Sequence, residues 1–172
     1  EKQAKESEGR KMAKEYKNNY NINSFLHALP HKYYEENNLH AFIIKQTNEF
    51  EECVLQIDSF LPYINNWATC DSLRPKCFKS NKNELMHYVQ KWIKSQQIYT
   101  VRYAIGMLLT YYLDEDFSPS HLQAVAQIQS EEYYVNMMKA WYFATALAKQ
   151  YDFYRYVGFS FVALALVVFV LT

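Results

Sequence analysis

Apolar residues recur along the chain at three- and four-residue spacing between short polar turns, and no run alternates with period two long enough to demand a strand. Ile22, Phe25, Leu26 and Leu29 form a helical group that stops at Pro30. Tyr34, Leu39, Phe42 and Ile43 fit one face of a helix of about fifteen residues. Phe50, Val54, Ile57, Phe60 and Leu61 make the core face of the next, with Asn48 as its expected N-cap. Glu49, Glu51 and Glu52 fall in its first turn, where the helix dipole favours acids. A helix beginning near Asn66 follows, then a loop at Arg74-Pro75-Lys76.

Residues 83–94 predict an amphipathic helix through Leu85, Tyr88, Val89, Trp92 and Ile93. Residues 97–113 predict a nearly all-apolar one, interrupted mainly by Arg102. Polar turns at Asp114-Glu115-Asp116 and Ser118-Pro119-Ser120 precede a helix expected over 120–129. Glu131-Glu132 then acidify the start of a long helix reaching Gln150. Residues 1–19 mix Lys and Glu at helical spacing, as a solvated helix would. Outer amphipathic helices alternating with inner apolar ones suggest stacked helical hairpins of the solenoid kind. The sequence repeat is faint, so periodicity alone gives an all-α, repeat-like chain.

Composition sharpens this picture only in places. At 172 residues the chain is long enough for one domain with a sizeable core, and three Gly and four Pro favour helix over disorder. Cys53, Cys70 and Cys77 have no paired spacing, which suits buried or free thiols in a reducing compartment rather than a disulfide framework or zinc site. The opening residues are charged rather than secretory, and a chain starting at Glu1 without Met is expected to be a fragment of a longer reading frame. From Tyr156 to Thr172 no charge occurs, and these 17 residues are the lower limit for crossing a bilayer core of about 30 Å. Domain limits of 1–152 for the helical body and 153–172 for an apolar tail follow. Any membrane attachment is confined to 156–172, as an alternative to a last core helix or a truncation artefact.

Candidate chemistry starts with Trp67 and Asp71, four residues apart and hence on one helix face. A carboxylate beside a flat π-surface suits a flat cationic ligand. Asp71 could instead cap or pair with Arg74, and the large aromatics Trp67 and Trp141 could be core. Arg102 within an apolar helix needs an anionic partner, either phosphate or a protein carboxylate such as Asp71. Between Ser72 and Ser95, Arg74, Lys76, Lys79, Lys82, Lys91 and Lys94 face one acid, Glu84. That cluster fits a nucleic-acid backbone or a solvated loop equally well. Metal-ligand spacing, a glycine-rich phosphate loop and a Ser-His-Asp arrangement are all missing from the sequence, so no metal or nucleotide cofactor is expected.

The stretch Leu29-Pro30-His31-Lys32-Tyr33-Tyr34-Glu35-Glu36-Asn37-Asn38-Leu39-His40-Ala41-Phe42 resembles the early part of the bacterial DNA alkylation repair family. Asn66-Trp67-Ala68-Thr69-Cys70-Asp71 resembles that family's Trp-x-x-x-Asp motif, and Thr100-Val101-Arg102-Tyr103-Ala104-Ile105 its arginine-bearing helix. Glu132-Tyr133-Tyr134 followed by Trp141 resembles its aromatic pair and trailing indole. The likeness covers about residues 10–152. It departs at both ends, where the family carries further helices, and in having Tyr in place of a Phe pair, which suggests a shorter branch.

The resemblance implies a HEAT-like helical-repeat solenoid of stacked antiparallel helix pairs whose concave groove holds duplex DNA. It also implies a glycosylase for cationic N3- and N7-alkylated purines that works without a deep base pocket. Asp71 is then expected to stabilise the oxocarbenium-like sugar and align water, Trp67 and Trp141 to contact the sugar, and Arg102 to hold a phosphate. Tyr133, Tyr134, Arg74, Lys76, Lys79 and Lys82 are expected on DNA. The protein is expected to act as a cytoplasmic monomer in a bacterium. The alternative is a non-catalytic helical-repeat adaptor that binds DNA or protein through the same groove.

Overall fold

The computed structural model describes residues 11–13, 15 and 22–151, and among these the chain is all-α, with no strand. Its helices are α1 (Ile22–His27), α2 (Tyr34–Ile44), α3 (Phe50–Phe60), α4 (Trp67–Ser72), α5 (Lys82–Trp92), α6 (Ile98–Tyr111), α7 (Pro119–Ala126) and α8 (Tyr133–Lys149). Two 3₁₀ turns, Leu61–Tyr63 and Lys76–Lys79, interrupt the connections. The chain divides into two compact units between Met86 and His87.

The first unit is built on α2 and α3. Glu36 reaches back to accept from the backbone N–H groups of Lys32 (3.0 Å) and Tyr33 (2.9 Å), which starts α2. Ala41, Ile43 and Ile44 of α2 pack with Cys53, Val54, Ile57 and Phe60 of α3, all at 2 % exposure or less. Each such aliphatic or aromatic side chain contributes about 1.5–3 kcal/mol by leaving water. Phe50 meets Phe78 edge-on at 5.8 Å, bringing the Lys76–Lys79 turn onto α3. The apolar face expected for α3 is thus the buried one, extended by Cys53.

A layer of four rings seals one end of this core. Phe25 stacks on His31 at 4.6 Å, and His40 stacks on Phe60 at 4.0 Å, with the two imidazoles bonded between them through His31 Nε2 and His40 Nδ1 at 2.7 Å. Burial first, and then the neighbouring His31, lower His40 to about 3. Cys53, Cys70 and Cys77 are buried free thiols. The Cys53 thiol donates to the Ile44 carbonyl at 3.9 Å, and burial pushes both Cys53 and Cys77 up, which makes them poor nucleophiles.

The second unit is organised by α6, whose residues Thr100–Leu108 are all buried. It packs along α8 through Val135, Met138, Tyr142 and Ala146, while Trp92 meets Tyr103 edge-on at 5.4 Å. Lys139 is buried on the same side of α8 and donates through Nζ to the Ile128 carbonyl at 2.5 Å, tying α8 to the turn that follows α7. Gln150 Nε2 donates to the Leu113 carbonyl at 2.8 Å and fixes the far end of α8.

Helix limits differ from the sequence expectation at several points: the helix expected at about fifteen residues is Tyr34–Ile44, and the one expected over 97–113 is Ile98–Tyr111. Asn48 does not cap α3; Glu49 is the extended residue ahead of it, and no side chain caps the helix. The helix expected over 120–129 is shifted to Pro119–Ala126, because Ser118 caps its start and the Ile128 carbonyl is taken by Lys139. The helix expected over 83–94 begins at Lys82 and ends at Trp92. Apart from residues 11–13 and 15, which are helical, the segment 1–19 lies outside the described residues, as does the apolar tail 153–172. Among the described residues no helix is long and apolar enough to cross a membrane.

Candidate nucleic-acid interface

The Trp-x-x-x-Asp pair sits on α4, a helix of six residues that needs outside support to exist. Asn66 supplies it at the start: its side-chain oxygen accepts from the Thr69 N–H at 2.8 Å. Thr69, fully buried, donates through its hydroxyl to Asn38 of α2 at 2.7 Å. Arg74 closes the other end, donating to the carbonyls of Cys70 (3.0 Å) and Leu73 (3.1 Å). With Thr69 and Cys70 facing inward, Trp67 and Asp71 fall on the outer side; Trp67 is 41 % exposed and Asp71 half-buried.

Four of the expected cations follow directly. Lys76 and Lys79 are exposed and three residues apart on a 3₁₀ turn, where i and i+3 eclipse, so both ammonium groups leave the same edge. Lys82, half-buried, opens α5. Arg74 is also half-buried and spends part of its guanidinium on the end of α4, so it shapes the turn as well as charging it.

In the second unit Trp141 is 54 % and Tyr133 69 % exposed, both on α8. Tyr134 is half-buried between Tyr133 (5.3 Å) and Tyr99 (6.0 Å). Arg102 is 1 % exposed and donates through a guanidinium N–H to the Tyr134 carbonyl at 2.7 Å. The resemblance expects this arginine on a phosphate; in the structure its guanidinium is buried and one N–H holds the first turn of α8, which carries Tyr133 and Tyr134. Lys139, which ties α8 to the turn ahead of it, is a structural contact that sequence reasoning missed. Its one available signal was a Lys flanked by Met138 and Ala140 on a face otherwise apolar.

Among the described residues no group of three His, Cys, Asp or Glu side chains could hold a metal ion. An all-α chain of helical-repeat type, with half-exposed indoles and a lysine-bearing turn, is what these observations define. Residues 4–152 match the family of the DNA alkylation repair enzyme, and the chain belongs to that family. No curated protein and no solved structure matches it. Membership of this family implies a role in DNA alkylation repair.

Proposed function

We propose that this protein binds duplex DNA and hydrolyses the N-glycosidic bond of purines made cationic by N3- or N7-alkylation. The base is not drawn into a deep pocket, so the flipping used by many base-modifying enzymes is unnecessary. The supporting observation is the exposure of two indoles. Trp67 and Trp141 are 41 % and 54 % exposed, whereas the third indole, Trp92, is 2 % exposed and packed in the core. Leaving large aromatic surface in water forgoes burial energy, and such surface commonly serves a ligand.

Alkylation at N3 or N7 weakens the bond from C1′ to the base nitrogen. The base leaves as a neutral alkylpurine and the sugar becomes oxocarbenium-like. The chemistry therefore needs stabilisation of positive charge and a positioned water more than it needs an acid for the leaving group. Asp71 is proposed to face the forming cation and to align the water that adds at C1′. A carboxylate at about 3–4 Å acts strongly where water is excluded. Each indole face adds about 0.5–2 kcal/mol of cation–π attraction. Lys76, Lys79, Lys82 and Arg74 are proposed to meet the phosphate backbone, and Tyr133 and Tyr134 to lie against DNA. Arg102 is proposed to act through α8, by holding the Tyr134 carbonyl, rather than on a phosphate.

The test is release of N7-methylguanine or N3-methyladenine from alkylated duplex by the wild type and by Asp71→Asn, with DNA affinity measured alongside. Release by the wild type, cut about 100-fold or more in the variant at unchanged affinity, is expected. Trp67→Ala and Trp141→Ala should lose release while shifting Tm little, since neither ring is core. Should the wild type bind alkylated DNA yet release no more base than buffer does, the protein is an adaptor and not a glycosylase.

A further inference from the structure

The outward ridge of α8 carries no charge; the helix's exposed lysine, Lys149, stands at its last position and is paired with Asp114 at 2.7 Å. Opposite the buried line of Val135, Met138, Lys139, Tyr142 and Ala146 lie Tyr133, Met137, Ala140, Trp141 and Ala144. Three of these stand out from the helix: Tyr133 at 69 %, Met137 at 36 % and Trp141 at 54 % exposure. They follow one another at four-residue intervals, so they form a continuous ridge, about 12 Å long at 1.5 Å per residue. That length matches three to four nucleotides at about 3.4 Å spacing along one strand. A ridge with no charged side chain forms no ion pair with phosphates. It can cover sugar faces and base edges, where aromatic and thioether groups gain contact area.

Resting on the DNA-binding function proposed above, we infer that Met137 is a third DNA contact, seated between Tyr133 and Trp141. The ridge of α8 supplies the salt-insensitive part of the affinity, against sugars and base edges. The lysine turn Lys76–Lys79 supplies the salt-sensitive part, against phosphates.

The experiment is fluorescence-anisotropy titration of the full chain with an undamaged and an alkylated duplex at several salt concentrations. Met137→Ala should weaken binding roughly four- to tenfold at every salt concentration, leaving the slope of log affinity against log salt unchanged. Met137→Leu should restore most of the loss, and Met137→Glu should weaken binding further. Because Met137 lies on the outer face, circular dichroism and Tm should match the wild type and exclude misfolding. Wild-type affinity in both Met137→Ala and Met137→Glu overturns the inference while leaving DNA binding by the protein intact. A change in self-association with unaltered DNA affinity overturns it as well, and assigns the ridge to protein docking. Failure of the wild type to bind duplex at any salt concentration overturns both this inference and the function on which it rests.

Discussion

Two histidines show how much of this chain is decided by single side chains. His40 is 2 % exposed, flat against Phe60, and accepts or donates one hydrogen bond to His31. Burial holds it neutral down to about 3, and burial likewise lowers His31, with Glu36 opposing. The unfolded chain binds a proton at each imidazole near pH 6.5, whereas the folded chain resists doing so. The stabilisation from neutral His40 is therefore complete above about pH 6.5 and is lost progressively as pH falls toward 3. The slope reaches about 1.4 kcal/mol per pH unit within that window. His40→Phe keeps the stack on Phe60 but has no proton to refuse. Urea unfolding at pH 7 and pH 4.5 should show the wild type losing distinctly more stability than the variant over that interval. Equal losses would mean that the ring layer opens to protons at little cost. Neither imidazole was legible as a partner of the other from sequence, because a bond between residues nine apart across a turn has no periodic signature.

At the level of helices, the short α4 depends on its ends. Its outer face carries Trp67 and Asp71, yet six residues cannot hold a helix without the Asn66 cap, the Asn38–Thr69 bond and the Arg74 contacts. Asn66→Ala should cost about 1 kcal/mol, lowering Tm by about 2–4 °C in a chain of this size. It should impair base release out of proportion to that loss, since the Trp67–Asp71 face is what frays. A Tm and release rate both equal to wild type would show that tertiary contacts alone hold α4. Helices with a long apolar period were plain in the sequence: the face of α3 and the burial of α6 follow from hydrophobic spacing alone. The start of α4 was legible too, through Asn66. What escaped was set by neighbours, not by local pattern, as with the end of α7, where Lys139 takes the Ile128 carbonyl. A helix start recurs in the chain: in Ser95-Gln96-Gln97 and Ser130-Glu131-Glu132 the serine hydroxyl accepts from the N–H two residues on, ahead of α6 and α8. Of the candidate site, Trp67, Asp71 and Trp141 were legible as residues. Their exposure was not, because an indole at helical spacing reads the same whether it packs inward or faces water.

Across the whole molecule the balance of 18 basic and 18 acidic residues leaves no net charge, so long-range attraction to a polyanion is weak. The proposed DNA affinity must then come from local groups: a few cations on one turn, and uncharged aromatic surface elsewhere. Such a division has a measurable consequence. Each phosphate neutralised contributes about 0.9 to the slope of log affinity against log salt on duplex DNA. Lys76 and Lys79 share an edge of their 3₁₀ turn and are exposed, so neutralising both should remove two phosphate contacts and no core packing. Lys76→Gln with Lys79→Gln should flatten the slope by about 1.8, twice the single-contact value, while leaving Tm unchanged. Affinity should fall most at low salt and converge with the wild type as salt rises, because only the screened part of the interaction has been removed. A loss that is uniform across salt would instead mean that these lysines shape the turn without touching phosphate. An unchanged slope would place the phosphate contacts on other cations of the chain, with Lys91 and Lys94 next to be neutralised.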